Sequence, residues 1–312
     1  MKQVLLLIFL ASAIVAGTVS AHAANRLSGS LTSTGSDTAS ALLARWAAAF
    51  HAAHADARIQ IQAAGSASAP IALTQGATDI GSMSRPMNAR ERGDFSERYG
   101  YAPTQLIVAR DAIVVFVHPD NPLSRITLAQ IDAIYSATRR CGATQPIRAW
   151  RDLADDASGA FATLAVLATG RNASSGTYEL FRELALCDGD YRPQIIAWPG
   201  NGAIVATVAT NREAIGYAGV GYVNGLVKPL AIAKEAGETA VAPDLANITS
   251  GRYPLVRALY VYVNRAPGHA LSSLPSAFLA FALSDEGQAL VQQEGFVPLT
   301  AEERRAQRAI LE

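Results

Sequence analysis

The sequence predicts an α/β protein of two domains. Short β-rich runs alternate with stretches of helical periodicity, the pattern left by sheets covered with helices on both faces. Loops rich in serine and glycine stand between several strands and the helices after them. Without a candidate leader the chain keeps roughly 290 residues, more than one hydrophobic core commonly serves.

The leader comes first. Lys2 is a positive n-region, Val4 to Ala16 is apolar and uncharged, and Ala21-His22-Ala23 puts small residues where a signal peptidase reads. Residues 1–23 are therefore expected to be cleaved, and the mature protein to be periplasmic. The apolar run is about a dozen residues, short of the ~20 that a spanning helix needs. No cysteine near the cleavage point offers itself for a lipid.

The elements follow in order. Leu27 to Leu31 reads as a strand, and a helix then carries Leu42, Leu43, Trp46 and Phe50 on one face. Ile59 and Ile61 alternate as a second strand, and the loop from Ala64 to Ala69 enters a short helix. Asp79 to Gly81 ends a third strand. Ala112 to Val117 is a strand broken by His118-Pro119, and Leu128 to Tyr135 is a helix. Val166 to Ala168 is a strand leading through the Arg171 loop into a helix with Leu180, Phe181 and Leu184 inward. Leu259 to Val263 is a late strand, and Phe278 to Val291 a helix burying Phe281 and Leu290.

Charge excludes some partners. The chain has 26 Lys plus Arg and 26 Asp plus Glu, so loss of Lys2 leaves one net negative charge. No basic field exists for nucleic acid or an anionic membrane. An anion would have to be held by local donors. The two cysteines, Cys141 and Cys187, form either one bridge in an oxidising compartment or two buried thiols. Neither has a Cys or His at ligand spacing beside it, so no metal site is expected there.

Four loops share one design: Thr34 to Thr38, Gly65 to Ser68, Ser82 to Arg85, and Arg171 to Thr177. Each follows a strand, is rich in Ser, Thr or Gly, and runs toward a helix. A helix start has unpaired N–H groups and a partial positive charge, so it binds anions. Hydroxyls add donors, and Arg85 and Arg171 can each present a planar fork to two oxygens. Taken singly, each loop also reads as a plain N-cap.

Gly35-Ser36-Asp37-Thr38, Gly65-Ser66 and Thr78 to Pro86, in that order, resemble the short branch of the phosphate-binding proteins of phosphate ABC transporters, the PstS-like family. Gly170-Arg171 with Ser175-Gly176-Thr177 resembles the family's arginine–Ser-Gly-Thr anion loop. Ile126 to Ser136 with Trp150 to Leu153, Asn201 to Val205, Ala214 to Tyr217, Leu259 to Asn264 and Leu283 to Gln288 continue the likeness along nearly all of the mature chain.

The resemblance implies a type II periplasmic binding protein, with two α/β lobes of mixed sheet hinged on crossing strands. Lobe I would combine residues 24–118 with 245–312, and lobe II would be 119–244. It implies an inorganic phosphate ligand, no cofactor, an inner-membrane ABC permease as partner, and a monomer. Carried over residue by residue, the contacts are Ser36, Asp37, Thr38, Ser66, Ser84, Arg85, Arg171, Ser175, Gly176 and Thr177. The chain departs from the pattern in three places. Ala173 stands where many members have an acid that holds the arginine. Ala67 replaces a glycine. Ser84 replaces the aspartate that, in the longer branch, accepts the ligand's proton. Asp37 either takes that acceptor role or caps its helix.

Two other readings differ in class. One is a binder of sulfate, molybdate or another tetrahedral oxyanion, or a phosphate sensor. The other is a phosphatase or esterase with Ser36 or Ser175 as nucleophile. Against the latter, no Gly-x-Ser-x-Gly elbow or Ser-His-acid order occurs. His51 and His54 lie on one helix face, where a solvated or capping role competes with metal binding. Gly219-Val220-Gly221 is only a partial dinucleotide pattern.

Overall fold

A computed structural model describes residues 27–156 and 159–312; the candidate leader, residues 1–23, lies outside them. The chain begins with β1 (Gly29–Gly35), α1 (Asp37–Ala53), β2 (Ala57–Gln62), α2 (Ser68–Gln75), β3 (Ile80–Met83), α3 (Ala89–Tyr99) and the long β4 (Thr104–Val117). Next come β5 (Arg125–Thr127) and α4 (Leu128–Tyr135). After two short 3-10 turns follow β6 (Leu167–Arg171), α5 (Gly176–Ala185), β7 (Ile196–Trp198), α6 (Asn201–Thr210) and β8 (Ala214–Gly219). The chain closes with β9 (Lys228–Pro229), β10 (Ala231–Ala233), α7 (Leu245–Thr249), β11 (Val256–Val263), α8 (Ser273–Ala282), α9 (Asp285–Gln293) and α10 (Ala301–Leu311).

The main sheet runs β2-β1-β3-β11-β4-β8-β6-β7, with β9 beside β4. β1 is parallel to β2 and β3, and β6 is parallel to β7 and β8. Between these parallel ends lie β11 and β4, antiparallel to each other and to their outer neighbours. β4 serves both halves. Its start pairs with β11 and packs Leu106 and Val108 against Trp46 and Phe278; its end pairs with β8 and packs Val115 and Val117 against Tyr135 and Phe181. The architecture is thus two α/β lobes joined by crossing strands. A small parallel pair, β5 with β10, and the segment with Ile248, Tyr253 and Leu255 belong to the second core.

Helix α1 shows why the pattern folds locally. Leu42, Leu43, Trp46 and Phe50 are all buried, and each such side chain contributes about 1.5–3 kcal/mol. The Trp46 indole N–H donates to the Gly287 carbonyl at 2.8 Å, tying α1 to α9. Helix α4 spans the residues expected, with Thr127 and Gln130 forming a capping box.

Strands β3, β6 and β11 run over Ile80–Met83, Leu167–Arg171 and Val256–Val263 rather than the shorter spans read from sequence, and three further segments differ more in kind. The first strand starts at Gly29 and extends to Gly35, because parallel pairing with β2 and β3 reaches into the serine-rich segment. The strand at Ala112 to Val117 is only the second half of β4. The helix expected over 278–291 is two helices. Leu283 and Ser284 interrupt it, and the Ser284 hydroxyl accepts the Gly287 N–H at 3.0 Å to start α9 anew.

Candidate anion site

Every parallel strand that ends at the crevice delivers a loop at its carboxyl end, the usual place for a site in an α/β sheet. β1 delivers Ser36, β2 the Gly65 loop, β3 Ser84, and β6 Arg171. Ser36 and Ser175 are the N-caps of α1 and α5, accepting N–H groups of Ala39 at 3.3 Å and Thr177 at 3.1 Å. The capping reading of these serines is correct. It also aims the free N–H groups of both helix starts into one place.

The loops meet. Ser66 Oγ lies 3.2 Å from Ser84 Oγ and accepts the Ser84 N–H at 3.1 Å. Thr38 Oγ1 and Thr177 Oγ1 are 3.0 Å apart. The Ala67 N–H donates to the Ser174 carbonyl at 3.1 Å. A Cβ on Gly176 would come within 2.5 Å of Ser66 Oγ and 2.7 Å of Ser84 Oγ, so only glycine lets α5 approach the other two loops. Gly65 has φ +103 and its backbone abuts the Ser174 carbonyl, a place closed to any L side chain. Ala67 sits at φ −66, in the helical region, where alanine is as suitable as glycine.

Arg171 is at the centre and nearly inaccessible, at 1% exposure. One terminal nitrogen, Nη2, donates to the Pro199 carbonyl at 2.6 Å and lies 3.4 Å from Asp37 Oδ2. Its Nε and Nη1 are buried and have no hydrogen-bond partner among the described residues. Buried unpaired donors are costly, and in a crevice they point to a ligand. Burial pulls the guanidinium below its ordinary pKa; Asp37 opposes the fall and nearby Arg257 adds to it. The Arg171 backbone N–H donates to Tyr217 Oη at 3.3 Å. Burial pushes that phenol up to about 12, so it stays neutral.

One of the two jobs weighed for Asp37 falls to its neighbour. Ser36, not Asp37, caps α1. Asp37 Oδ2 instead accepts the Asn201 backbone N–H at 3.0 Å and its side-chain amide at 2.8 Å, besides facing Arg171. The carboxylate thus spans the crevice to the start of α6. It holds the arginine where Ala173 cannot.

Arg85 does not join the cluster. Its guanidinium forks onto Glu91, with Nη2 2.6 Å and Nη1 2.7 Å from the carboxylate, and its Nε pairs with Glu179 of α5. The cause is local: β3 does not run directly into a helix, and Asn88 and Glu91 form a capping box that starts α3 five residues past Ser84. Glu91 then sits where Arg85 can reach it.

Two residues escaped the sequence reading. Asn201 carries no role in the sequence pattern, yet it bonds both Asp37 and Thr38. Arg257 of β11, 5% exposed, pairs with the fully buried Asp111 of β4 and donates to Thr177 and Thr38. Strand phase carried the signal. Arg257 shares the buried face with Leu259 and Val261, and Asp111 shares its face with Ile113; opposite charges in buried phases of two strands imply a buried pair.

Comparison with known proteins decides the family. A model of the PBP superfamily domain matches residues 20–286. The phosphate-binding protein PstS of Pseudomonas aeruginosa is 45% identical over 289 residues, covering 93% of this chain and 88% of that one. The chain belongs to the PstS family of phosphate-binding proteins. A solved structure with phosphate bound, of a protein assigned to phosphate ABC transport in Clostridium perfringens, is 25% identical with a TM-score of 0.72. It covers 87% of this chain and all of that one. A phosphate transport receptor from Vibrio cholerae shares the fold at 22% identity and a TM-score of 0.65, covering 86% of this chain and all of that one. PstS members are substrate-binding proteins, and no helix among the described residues of this one is long and apolar enough to cross a membrane.

Proposed function

We propose that this protein captures inorganic phosphate in the crevice between its lobes, in the periplasm, and presents it to an inner-membrane ABC permease. The observation that carries the reading is Arg171: two buried donors of a fixed fork have no hydrogen-bond partner among the described residues, and the loops gathered around it bring serine and threonine hydroxyls together. Family membership supplies the ligand's identity.

In this reading lobe I is 24–118 with 245–312 and lobe II is 119–244, the stretch from Ile248 to Leu255 lying against the second core. Ser36 and Thr38 bring one helix start, Ser175, Gly176 and Thr177 the other, and Ser66 and Ser84 bring hydroxyls from the remaining loops. Arg171 neutralises the anion. Asp37 orients Arg171 and joins the lobes. Arg85 acts as an interlobe pair rather than as a ligand. Closure is favoured by ligand because only the closed form uses donors from both lobes. We read the protein as a binder rather than a hydrolase, and the hydroxyls of Ser36, Ser66 and Ser175 serve as acceptors for backbone N–H groups.

Calorimetric titration with phosphate, arsenate, sulfate and molybdate tests the reading, with Arg171→Ala alongside. Phosphate is expected to bind at micromolar concentration or tighter, about −8 kcal/mol. Arg171→Ala should weaken it by at least about a hundredfold, the loss of two charge-assisted bonds. Retained affinity in that variant, or preference for sulfate in the native chain, would overturn the assignment. Turnover of a generic phosphate ester by the native protein would favour a hydrolase.

A further inference from the structure

We infer that Arg257 is a positioning residue of the anion site, one that fixes which hydroxyl gives its proton to the ligand. The inference rests on the reading of the crevice as an oxyanion site. It follows from counting donors. Arg257 Nε donates to Asp111 Oδ2 at 2.7 Å, and Asp111 Oδ1 is taken by the Val220 N–H at 3.0 Å, so the guanidinium has one orientation. In that orientation Nη1 donates to Thr177 Oγ1 at 2.8 Å and Nη2 to Thr38 Oγ1 at 3.4 Å.

The Asn201 amide is oriented too. Its Oδ1 accepts the Gly219 N–H at 3.4 Å, and its Nδ2 donates to Asp37 Oδ2 at 2.8 Å and to Thr38 Oγ1 at 3.2 Å. Thr38 Oγ1 therefore receives two donors that can never accept, and both its lone pairs are used. Among the described residues its own proton then has one acceptor within reach, Thr177 Oγ1 at 3.0 Å, so the proton of this pair is assigned to Thr38. Thr177 Oγ1 in turn accepts from Arg257 and from Thr38, so its proton is released toward the crevice, beside Gly176 and the serines. The relay has one direction: Arg257 and Asn201 to Thr38, Thr38 to Thr177, Thr177 to the ligand oxygen. Thr38 then supports the site through its hydroxyl without donating that proton to the anion, and the oxygen that faces Thr177 is one that carries no proton.

A double-mutant cycle on the mature chain tests this, read as the dissociation constant of inorganic phosphate by calorimetry. Thr177→Val removes the last donor and should weaken binding about tenfold. Arg257→Lys keeps a charge but loses the fork, and should weaken binding to a similar degree. If both act through the same proton, the double variant stays within about twofold of the worse single variant. Factors that multiply, or an unchanged constant in Arg257→Lys, would overturn the inference, since a residue that only stabilises the fold adds independently. Where circular dichroism shows Arg257→Lys unfolded, the pair R257Q/D111N replaces it in the same cycle, because removing both charges strands neither in the core. Failure of the native chain to bind phosphate overturns the functional reading itself, a result distinct from binding with multiplicative effects.

Discussion

Asp37, in the first turn of α1, and Arg171, at the end of β6, meet across the crevice with Oδ2 3.4 Å from Nη2. The same oxygen accepts two N–H groups of Asn201. A carboxylate oxygen engaged three times is a poor acceptor for a ligand proton and a good clamp for the closed lobes. Asp37→Asn should therefore lower the affinity for phosphate and for sulfate alike, about tenfold each, because charge-assisted bonds between the lobes are lost. The ratio of the two constants should stay within about twofold. Calorimetry on both anions checks it, and a collapse of the ratio would restore Asp37 as proton acceptor.

Arg85 links Glu91 of its own lobe to Glu179 on α5 of the other. Glu179 is 39% exposed, so solvent and salt weaken its share of the pair to about 0.5–1 kcal/mol. Glu179→Gln should speed phosphate release about two- to fivefold at low ionic strength, with the difference fading at high salt. Stopped-flow release kinetics across a salt series decide; identical low-salt rates would remove the interlobe role.

Cys141 and Cys187 are joined, their Cα atoms 5.4 Å apart and 46 positions apart in sequence. Closing a loop of that length restricts the unfolded chain and is worth about 2–4 kcal/mol. The double variant Cys141→Ser, Cys187→Ser should lose that much in urea unfolding. Its phosphate affinity should be unchanged, since neither cysteine touches the crevice loops. A full-strength stability in the double variant would contradict the prediction.

Tyr135, Tyr217 and Tyr253 are fully buried, and Tyr191 packs partly buried against the same core. Burial pushes Tyr217 up to about 12 and raises Tyr135, Tyr191 and Tyr253 as well. Their ordinary value is about 10. Between pH 10 and 12 the unfolded chain gives up these protons while the folded one keeps them, so stability falls as pH rises. Each tyrosine contributes about 1.4 kcal/mol per pH unit in that window. Urea midpoints should be flat to about pH 9 and drop steeply beyond 10. A flat profile to pH 11 would show these phenols titrating normally.

The sequence disclosed the local devices because each obeys a short-range rule. Helix α1 was legible from the period of Leu42, Leu43, Trp46 and Phe50, and α4 was placed at Leu128 to Tyr135, the span it occupies. The first half of β4 was not, because Arg110 and Asp111 break its apolar run, and their reason for being there lies in Arg257 on a strand far along the chain. The break between α8 and α9 was missed although Ser284 with Asp285 and Glu286 behind it is a helix-start pattern, because apolar residues resume on its far side.

The sequence by itself determined the class of fold and the family, and it singled out the Ser36, Ser66, Ser84 and Ser175 loops and the arginine at 171 that the fold brings together. Those follow from residue type and order, which need no contacts to read. Only the tertiary structure decided what the charges do. It turned Arg85 away to two glutamates, gave Asp37 to the arginine, and set the Arg257–Asp111 pair beneath the threonines. The reason is physical. A charge in a low-dielectric interior takes its role from whichever opposite charge or donor lies within a few ångströms, and that neighbour is fixed by strand register and lobe packing rather than by the adjacent residues.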